Sequence, residues 1–307
     1  MLIFTAVPVI LSTAVYNINQ ILDLTIFNHI MDAQGYVEQE YMALQGIYTA
    51  KYDTLINVPM AIPYALSASI VPSLTAVVTA GTQKQVHYKI DQTIRLTMFL
   101  TIPCGVGFIA LASPLMVLLY NDASATPANL LMLGAAVVVL YGWSSVSNSV
   151  LHGLNHMSSP AKNAGISLVI HLAAFILMMT VFRMNVYALV CSNIVFALCM
   201  CYLNQRKIRK VCGFRVNIVH TFVKPLIAAL VMGVVAYAVH LVLDLLIGGR
   251  YIPTIIAILA AVVVYFVIVL KIGTLSEDDI EALPMGARLL RLCKRLNLLP
   301  SEKPAEV

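Results

Sequence analysis

The side chains able to do chemistry in this sequence sit inside apolar runs. In the first run Asn19, Gln20 and Asp23 recur at helical spacing, with Ser12 and Tyr16 ahead of them, so they share one face of a helix. Leu22, Leu24, Ile26 and Phe27 are expected to lie largely off that stripe. A polar face this long inside an apolar helix implies either a polar or water-filled cavity, or an Asp23 that hydrogen-bonds a neighbouring helix. The second run opens with Lys51, Asp53 and Asn57. Lys51 offers a cation to an anionic ligand, or else it snorkels to an interface near the start of its helix. His171, one turn from Ser167, reads either as a proton relay or as a histidine satisfied by its neighbours. Asn19, Gln20, Asp23, Lys51, Asp53 and Asn57 are therefore the candidate substrate-binding residues; no catalytic and no metal-ligating set is expected.

The elements that must position them are membrane helices. Hydrophobic residues make up 60% of the 307 and charged residues 11%, against about 45–50% and about 25% in soluble domains. The mean hydropathy of +0.89 agrees. Apolar runs near the roughly 20 residues that cross a bilayer fall at Leu2–Ile30, Tyr48–Val78, Ile94–Tyr120, Ala128–Leu151, Ala161–Phe182, Val186–Leu203, Thr221–Leu245 and Ile252–Leu270. They are continuous rather than alternating, so the fold class expected is an all-α integral membrane protein of eight transmembrane helices. The first run is too long, and lacks the basic start and small-residue site, for a cleavable signal peptide. Pro59, Pro63 and Pro72 interrupt the second; such broken helices border cavities in transporters, and they also occur as packing kinks.

Basic residues set the orientation. Fifteen of the 19 lysines and arginines fall in the even connections and the tail, as in the run RKIRK from Arg206 to Lys210. The odd connections hold Arg183 and Arg250 beside the acids Asp32, Glu38, Glu40 and Asp122. Both termini are accordingly expected in the cytoplasm of a multi-pass plasma-membrane protein. After the last run, Ser276 followed by Glu277, Asp278 and Asp279 reads as a capped helix start. Beyond Pro284, Leu289, Leu292 and Leu296 with Arg288, Arg291 and Arg295 form a basic amphipathic helix suited to the inner leaflet or to a partner. Cys104, Cys191, Cys199, Cys201, Cys212 and Cys293 read as small hydrophobes and reduced thiols, without metal-ligand spacing. No P-loop, zinc spacing, nucleophile elbow or Gly-rich dinucleotide turn is present, so no enzyme, no cofactor and no nucleic-acid partner is expected.

The proline-bearing second run, the segment VLHGLNHMSSPAKNAGISLVIHL, the tail LSEDDIEALPMGARLLRLCKRL and the IxDLTIF ending of the first run resemble the multidrug/oligosaccharidyl-lipid/polysaccharide flippase superfamily. The branch they look most like is the polysaccharide-biosynthesis group that includes stage V sporulation protein B and the lipid II flippases. The resemblance implies that 1–204 form a six-helix C-terminal lobe, 205–271 a basic cytoplasmic loop plus two additional helices, and 272–307 an amphipathic cytoplasmic tail. Members of the superfamily have fourteen spans, and this sequence looks like spans seven to fourteen, so a fragment lacking the N-terminal lobe, or a chain that pairs with another subunit, is expected. The resemblance further implies export of a lipid-linked, undecaprenyl-pyrophosphate cell-wall or polysaccharide precursor such as lipid II by alternating access. Its pyrophosphate would meet basic residues of a central cavity; Thr54 aligns where lipid II flippases place a cavity arginine, which makes Lys51, one turn earlier, the substitute. Two alternatives stand beside this: a cation-coupled multidrug exporter with Asp23 as the coupling acid, and a non-transporting scaffold for cell-wall synthases. Partners expected are the lipid-linked oligosaccharide, membrane lipids, and the missing lobe or the synthases.

Overall fold

The structure is a computed structural model that describes residues 2–249, 251–273 and 291, with side chains from Ile18 onward. In chain order it consists of α1 (Leu2–Ala33), α2 (Glu38–Gly46), a π-helical stretch (Ile47–Asp53), α3 (Thr54–Ala80), α4 (Gln83–Ala110), α5 (Ala112–Tyr120), α6 (Ala125–Gly153), α7 (Ser158–Thr180), α8 (Tyr187–Cys212), a second π-helical stretch (Val219–Val223), α9 (Lys224–Ile247) and α10 (Ile252–Ile272). Among the described residues, seven helical stretches from Glu38–Ala80 onward are long and apolar enough to cross a membrane. Beside them, where the sequence leads one to expect an eighth, α1 runs as one helix of 32 residues. The expected amphipathic tail lies, apart from Arg291, outside the described residues.

Two elements depart from the expected boundaries. The second span begins ten residues earlier than Tyr48, because α2, the π stretch and α3 run on as one helix over Glu38–Ala80. Within it, Pro59, Pro63 and Pro72 have no N–H to return to the carbonyls four residues back. The π stretch ends six residues before Pro59, and the second π stretch ends just before Lys224 and Pro225, so widened turns precede a proline in both helices. The third span, expected as one helix over Ile94–Tyr120, is broken at Leu111, whose φ of −119° and ψ of 23° leave the helical region. Pro114 is the physical cause: it cannot donate to Ala110, and the chain restarts as α5.

α6 is the hub. It packs against α3, α4 and α8, while α7 lies against α8 and α1; α9 attaches through α4, and α10 packs on α9. The apolar core has two layers along α3: Leu55, Ile56 and Met60 join Phe27, Met31, Val138 and Phe175 at one end, and Ile70 and Leu74 join Ile90, Ile94 and Val150 at the other. α9 shows the pattern of a helix in lipid. Its buried side is mostly small, with Ala228, Ala229, Gly233 and Ala236 beside Pro225 and Met232, whereas Val234, Leu245 and Leu246 stand 70–79% exposed. Lipid solvates large apolar side chains as well as a core does, so close helix approach through small residues decides which face turns inward.

Candidate functional site

The stripe on α1 faces a polar cavity of about 240 Å³. α1 supplies Asn19, Gln20 and Asp23; the π stretch supplies Tyr48, Tyr52 and Asp53; α3 adds Asn57 and Tyr64, α6 Tyr141 and α8 Asn193. Gln20, Asn57 and Tyr64 are exposed and form its mouth, while Asn19, Asp23, Tyr48 and Tyr52 are buried at its back. Asn19 and Asp23 are one turn apart, and Phe27 and Met31 extend the same buried side as apolar packing, so Phe27 continues the stripe rather than lying off it.

Asn193 ties the back wall together. Its Oδ1 accepts from Tyr141 Oη at 2.9 Å and from Asn19 Nδ2 at 3.4 Å, and its Nδ2 donates to Tyr48 Oη at 3.1 Å and to the Leu189 carbonyl at 2.9 Å. One amide thereby joins α1, the π stretch, α6 and α8. The Tyr48 and Tyr52 rings stack with centroids 5.2 Å apart. Nearer the mouth, Gln20 Nε2 donates to Asp53 Oδ2 at 3.3 Å, and Asn57 Nδ2 donates to the Asp53 carbonyl at 2.9 Å.

Behind Asp23 stands His171. Its Nε2 is 2.6 Å from Asp23 Oδ1, and its Nδ1 is 2.8 Å from the Ser192 carbonyl oxygen. Both side chains are almost wholly buried, with Phe175 and Phe196 around the imidazole. A backbone carbonyl can only accept, so Nδ1 carries hydrogen. A second proton must lie between Nε2 and Oδ1, either on the ring or on the acid, since two acceptors cannot sit 2.6 Å apart. In either form the pair is neutral as a whole, and Asp53 is the other carboxyl group lining the cavity.

Of the sequence candidates, Asn19, Gln20, Asp23, Asp53 and Asn57 are brought together, and Lys51 is placed elsewhere. Its ammonium is bound to the carboxylate of Asp122, in the turn between α5 and α6. The Lys51 hydrogen bond, with those from Ser124, holds the Asp122 carboxyl down at about 2. A depressed carboxyl contributes stability that is present above its unfolded value near 3.9 and is lost as pH falls through about 2. The pair is partly exposed, Lys51 at 26% and Asp122 at 19%, so water screens it and the contribution is small. At the other end of the bundle Gln83 and His87 of α4 reach the Cys212 carbonyl at 3.1 and 2.6 Å, joining two of the even connections.

Sequence reasoning paired no residue with Asp23 and passed over Tyr48, Tyr141 and Asn193. The available signal was a polar side chain in mid-span, which Tyr141 and Asn193 both are. On the other side of α3 an apolar groove of about 430 Å³ runs between Val58, Pro59 and Ile62, Phe99 and Pro103 of α4, and Ile258 and Val262 of α10. One helix thus has an amide-and-phenol cavity on one face and a hydrocarbon-lined groove on the next.

The family model described as lipid II flippase MurJ matches residues 2–257. The lipid II flippase MurJ of Bacillus subtilis (strain 168) is 30% identical to the chain over 154 residues, which cover 48% of this chain and 27% of that relative.

Proposed function

The chain belongs to the lipid II flippase MurJ family, and from that membership we propose that it forms one wall of a translocation path for lipid II. The observation that carries the proposal is the juxtaposition on α3 of a polar cavity and an apolar groove. A saccharide needs paired donors and acceptors and flat faces to lie on; Asn19, Gln20, Asn57, Asn193 and four tyrosines supply them. A polyprenyl chain needs an apolar trough, which Val58, Ile62, Phe99 and Val262 supply. Transport, not catalysis, is the role assigned, and the substrate-binding residues proposed are Asn19, Gln20, Asp23, Asp53 and Asn57. Lys51 joins them as the phosphate contact only when it leaves Asp122.

The test is binding of fluorescent lipid II to the purified protein in nanodiscs. Asn57→Leu with Asn193→Leu is expected to weaken binding at least about tenfold, since two hydrogen bonds contribute on the order of 1 kcal/mol each. Undecaprenyl phosphate, which has no sugar, is expected to bind the variant and the parent alike. Lys51→Ala is expected to weaken lipid II more than Lys51→Arg does; equal effects remove Lys51 from the site. Absence of lipid II binding overturns the reading. A second reading has a specific observation behind it: an acid and four tyrosines also suit an organic cation. Tetraphenylphosphonium displacing lipid II with higher affinity would favour that exporter reading.

Orientation is proposed from the basic residues: both termini cytoplasmic, Lys51 and Asp122 at the outer end. In a background without native cysteines, Glu38→Cys is expected to react with impermeant maleimide from outside intact cells, and Lys207→Cys only after the cells are opened. Labelling of both from outside overturns the assigned topology.

A further inference from the structure

We propose that the acidic segment 277–281, which follows α10, docks on a basic face built from the start of α4, the end of α8 and the connection to α9. Docked there, it fastens the α9–α10 hairpin to the rest of the bundle, a contact that does not depend on lipid II.

The face is held together by its own contacts. Gln83 and His87, near the start of α4, reach the Cys212 carbonyl at 3.1 and 2.6 Å, where α8 ends. The connection that follows is anchored by Phe214, which is 4% exposed and meets the His87 ring edge-on. Beyond it the second π stretch packs on α4 and leads into α9. Lys84, Arg209, Lys210 and Arg215 stand exposed on these elements. No acid among the described residues pairs with any of the four. Nor is one close at hand: α8, the connection and the π stretch contain no acid, and the single acid of α4, Asp91, is bound to Arg95 at 3.0 Å.

The occupant follows from where α10 ends. Lys224, at the start of α9, donates to the Ile272 carbonyl at 3.4 Å, so the chain leaves α10 beside this face. Beyond Gly273 the sequence divides by charge. Residues 277–281 hold Glu277, Asp278, Asp279 and Glu281 with no cation, whereas 288–295 hold Arg288, Arg291, Lys294 and Arg295 with no acid. An anionic leaflet attracts the second group and repels the first. The four acids therefore need a cationic surface, and the nearest one belongs to the protein. A chain spans at most about 3.6 Å per residue, so Glu277, five residues past Ile272, can lie about 18 Å from it and Glu281 about 32 Å. Packed helices are about 8–10 Å apart, which puts α4 and the connection within that range. Tethered so closely, the acids meet the face at an effective concentration on the order of millimolar. Ion pairs that are individually weak and screened by salt are then sufficient as a group.

The experiment is carbodiimide cross-linking of the whole protein in nanodiscs, which joins a carboxylate to an amine only where the two touch. Links are mapped by peptide mass spectrometry of the monomeric band, in phosphatidylcholine and in phosphatidylglycerol-rich nanodiscs. The expected result in both is linkage from 277–281 to Lys84, Lys210 or Lys224, lost in about 1 M salt, where the screening length falls to about 3 Å. Lys210→Glu with Arg215→Glu is expected to abolish the remaining links to Lys84 and Lys224. Adding Glu277→Lys and Asp278→Lys is expected to restore linkage, with the amine now on the tail and the carboxylate on the face. In the parent protein, no link at all, or links only to Lys271 and to Lys294 or Lys303 of the tail, overturns the proposal, and that result needs no variant to fold. Links that form in phosphatidylcholine and vanish in phosphatidylglycerol overturn it as well, and assign the face to lipid headgroups. Links that survive Lys210→Glu with Arg215→Glu would show a contact indifferent to charge, which overturns it too.

Discussion

His171→Phe should be among the most destabilising single substitutions in this protein, costing about 3–5 kcal/mol, while adding Asp23→Leu to it should return most of that loss. The reasoning is the asymmetry of buried polar pairs. Removing one partner leaves the other without compensation in a medium that cannot solvate it, whereas replacing both with apolar groups of similar size removes the demand altogether. Asp23 is 2% exposed and His171 is 0% exposed, so neither can turn to water. The two single changes are not equivalent. Asp23→Leu alone leaves His171 neutral, with Nδ1 still donating to Ser192 and only a bare Nε2, a loss of about 1–3 kcal/mol. His171→Phe alone leaves a carboxyl group against Phe175 and Phe196. The expected order of stability is therefore parent and double variant highest, Asp23→Leu next, His171→Phe lowest. Reversible unfolding of each in mixed micelles measures it. A double variant no more stable than His171→Phe would mean that the pair holds the fold by shape rather than by satisfying its own charges.

The pairing that drives this prediction is the part of the site the sequence does not display. Asn19 and Asp23 are legible because helical periodicity puts residues four apart on one face, a local property. His171 lies 148 residues away on a helix whose own surroundings are apolar, and nothing local marks it as the partner of an acid on α1. Lys51 fails for a related reason. Two residues from Asp53 in sequence, it points on a π-helical stretch toward a turn 71 residues on, where Asp122 holds it. The spacing of apolar runs conveyed the spanning helices, since bilayer thickness leaves little choice of length. Breaks inside them were less visible. Pro114 stands in plain view, yet a proline in an apolar run is compatible with a bend or a stop, and packing of α5 against α6 decides between the two. The basic residues support only the proposed orientation; the structure brings Gln83 and His87 against Cys212 at one end of the bundle and Lys51 against Asp122 at the other. The first contact joins two even connections, and the second sets the start of the second span against an odd connection.

The same glycine-to-alanine change should have opposite signs at Gly134 and at Gly165. Both are in helices, where alanine is ordinarily favoured by about 0.5–1 kcal/mol because glycine loses more freedom on folding. At Gly165 on α7 an added Cβ meets nothing within 4 Å, so Gly165→Ala should show that gain undiminished. At Gly134 on α6 the Cβ would sit 2.2 Å from Tyr52 Cε2 and 2.8 Å from its Oη. The ring must move, and it has nowhere easy to go: Tyr52 is 2% exposed and stacks on Tyr48, whose hydroxyl accepts from Asn193. Overpacking of this kind costs about 1–3 kcal/mol, enough to reverse the propensity gain. The displacement also reaches the cavity wall through a short chain of contacts, from Gly134 to Tyr52 to Tyr48 to Asn193. Gly134→Ala should therefore weaken lipid II binding although residue 134 does not line the cavity, and Gly165→Ala should leave binding alone. Adding Tyr52→Leu to Gly134→Ala should recover stability, because the ring that was struck is gone, without recovering binding, because Tyr48 then loses its stacking partner. Unfolding and lipid II titration on the parent and the three variants separate these outcomes. Stability recovered together with binding would show that Tyr52 matters only as an obstacle, and that the stacked tyrosines are not part of the wall the sugar meets.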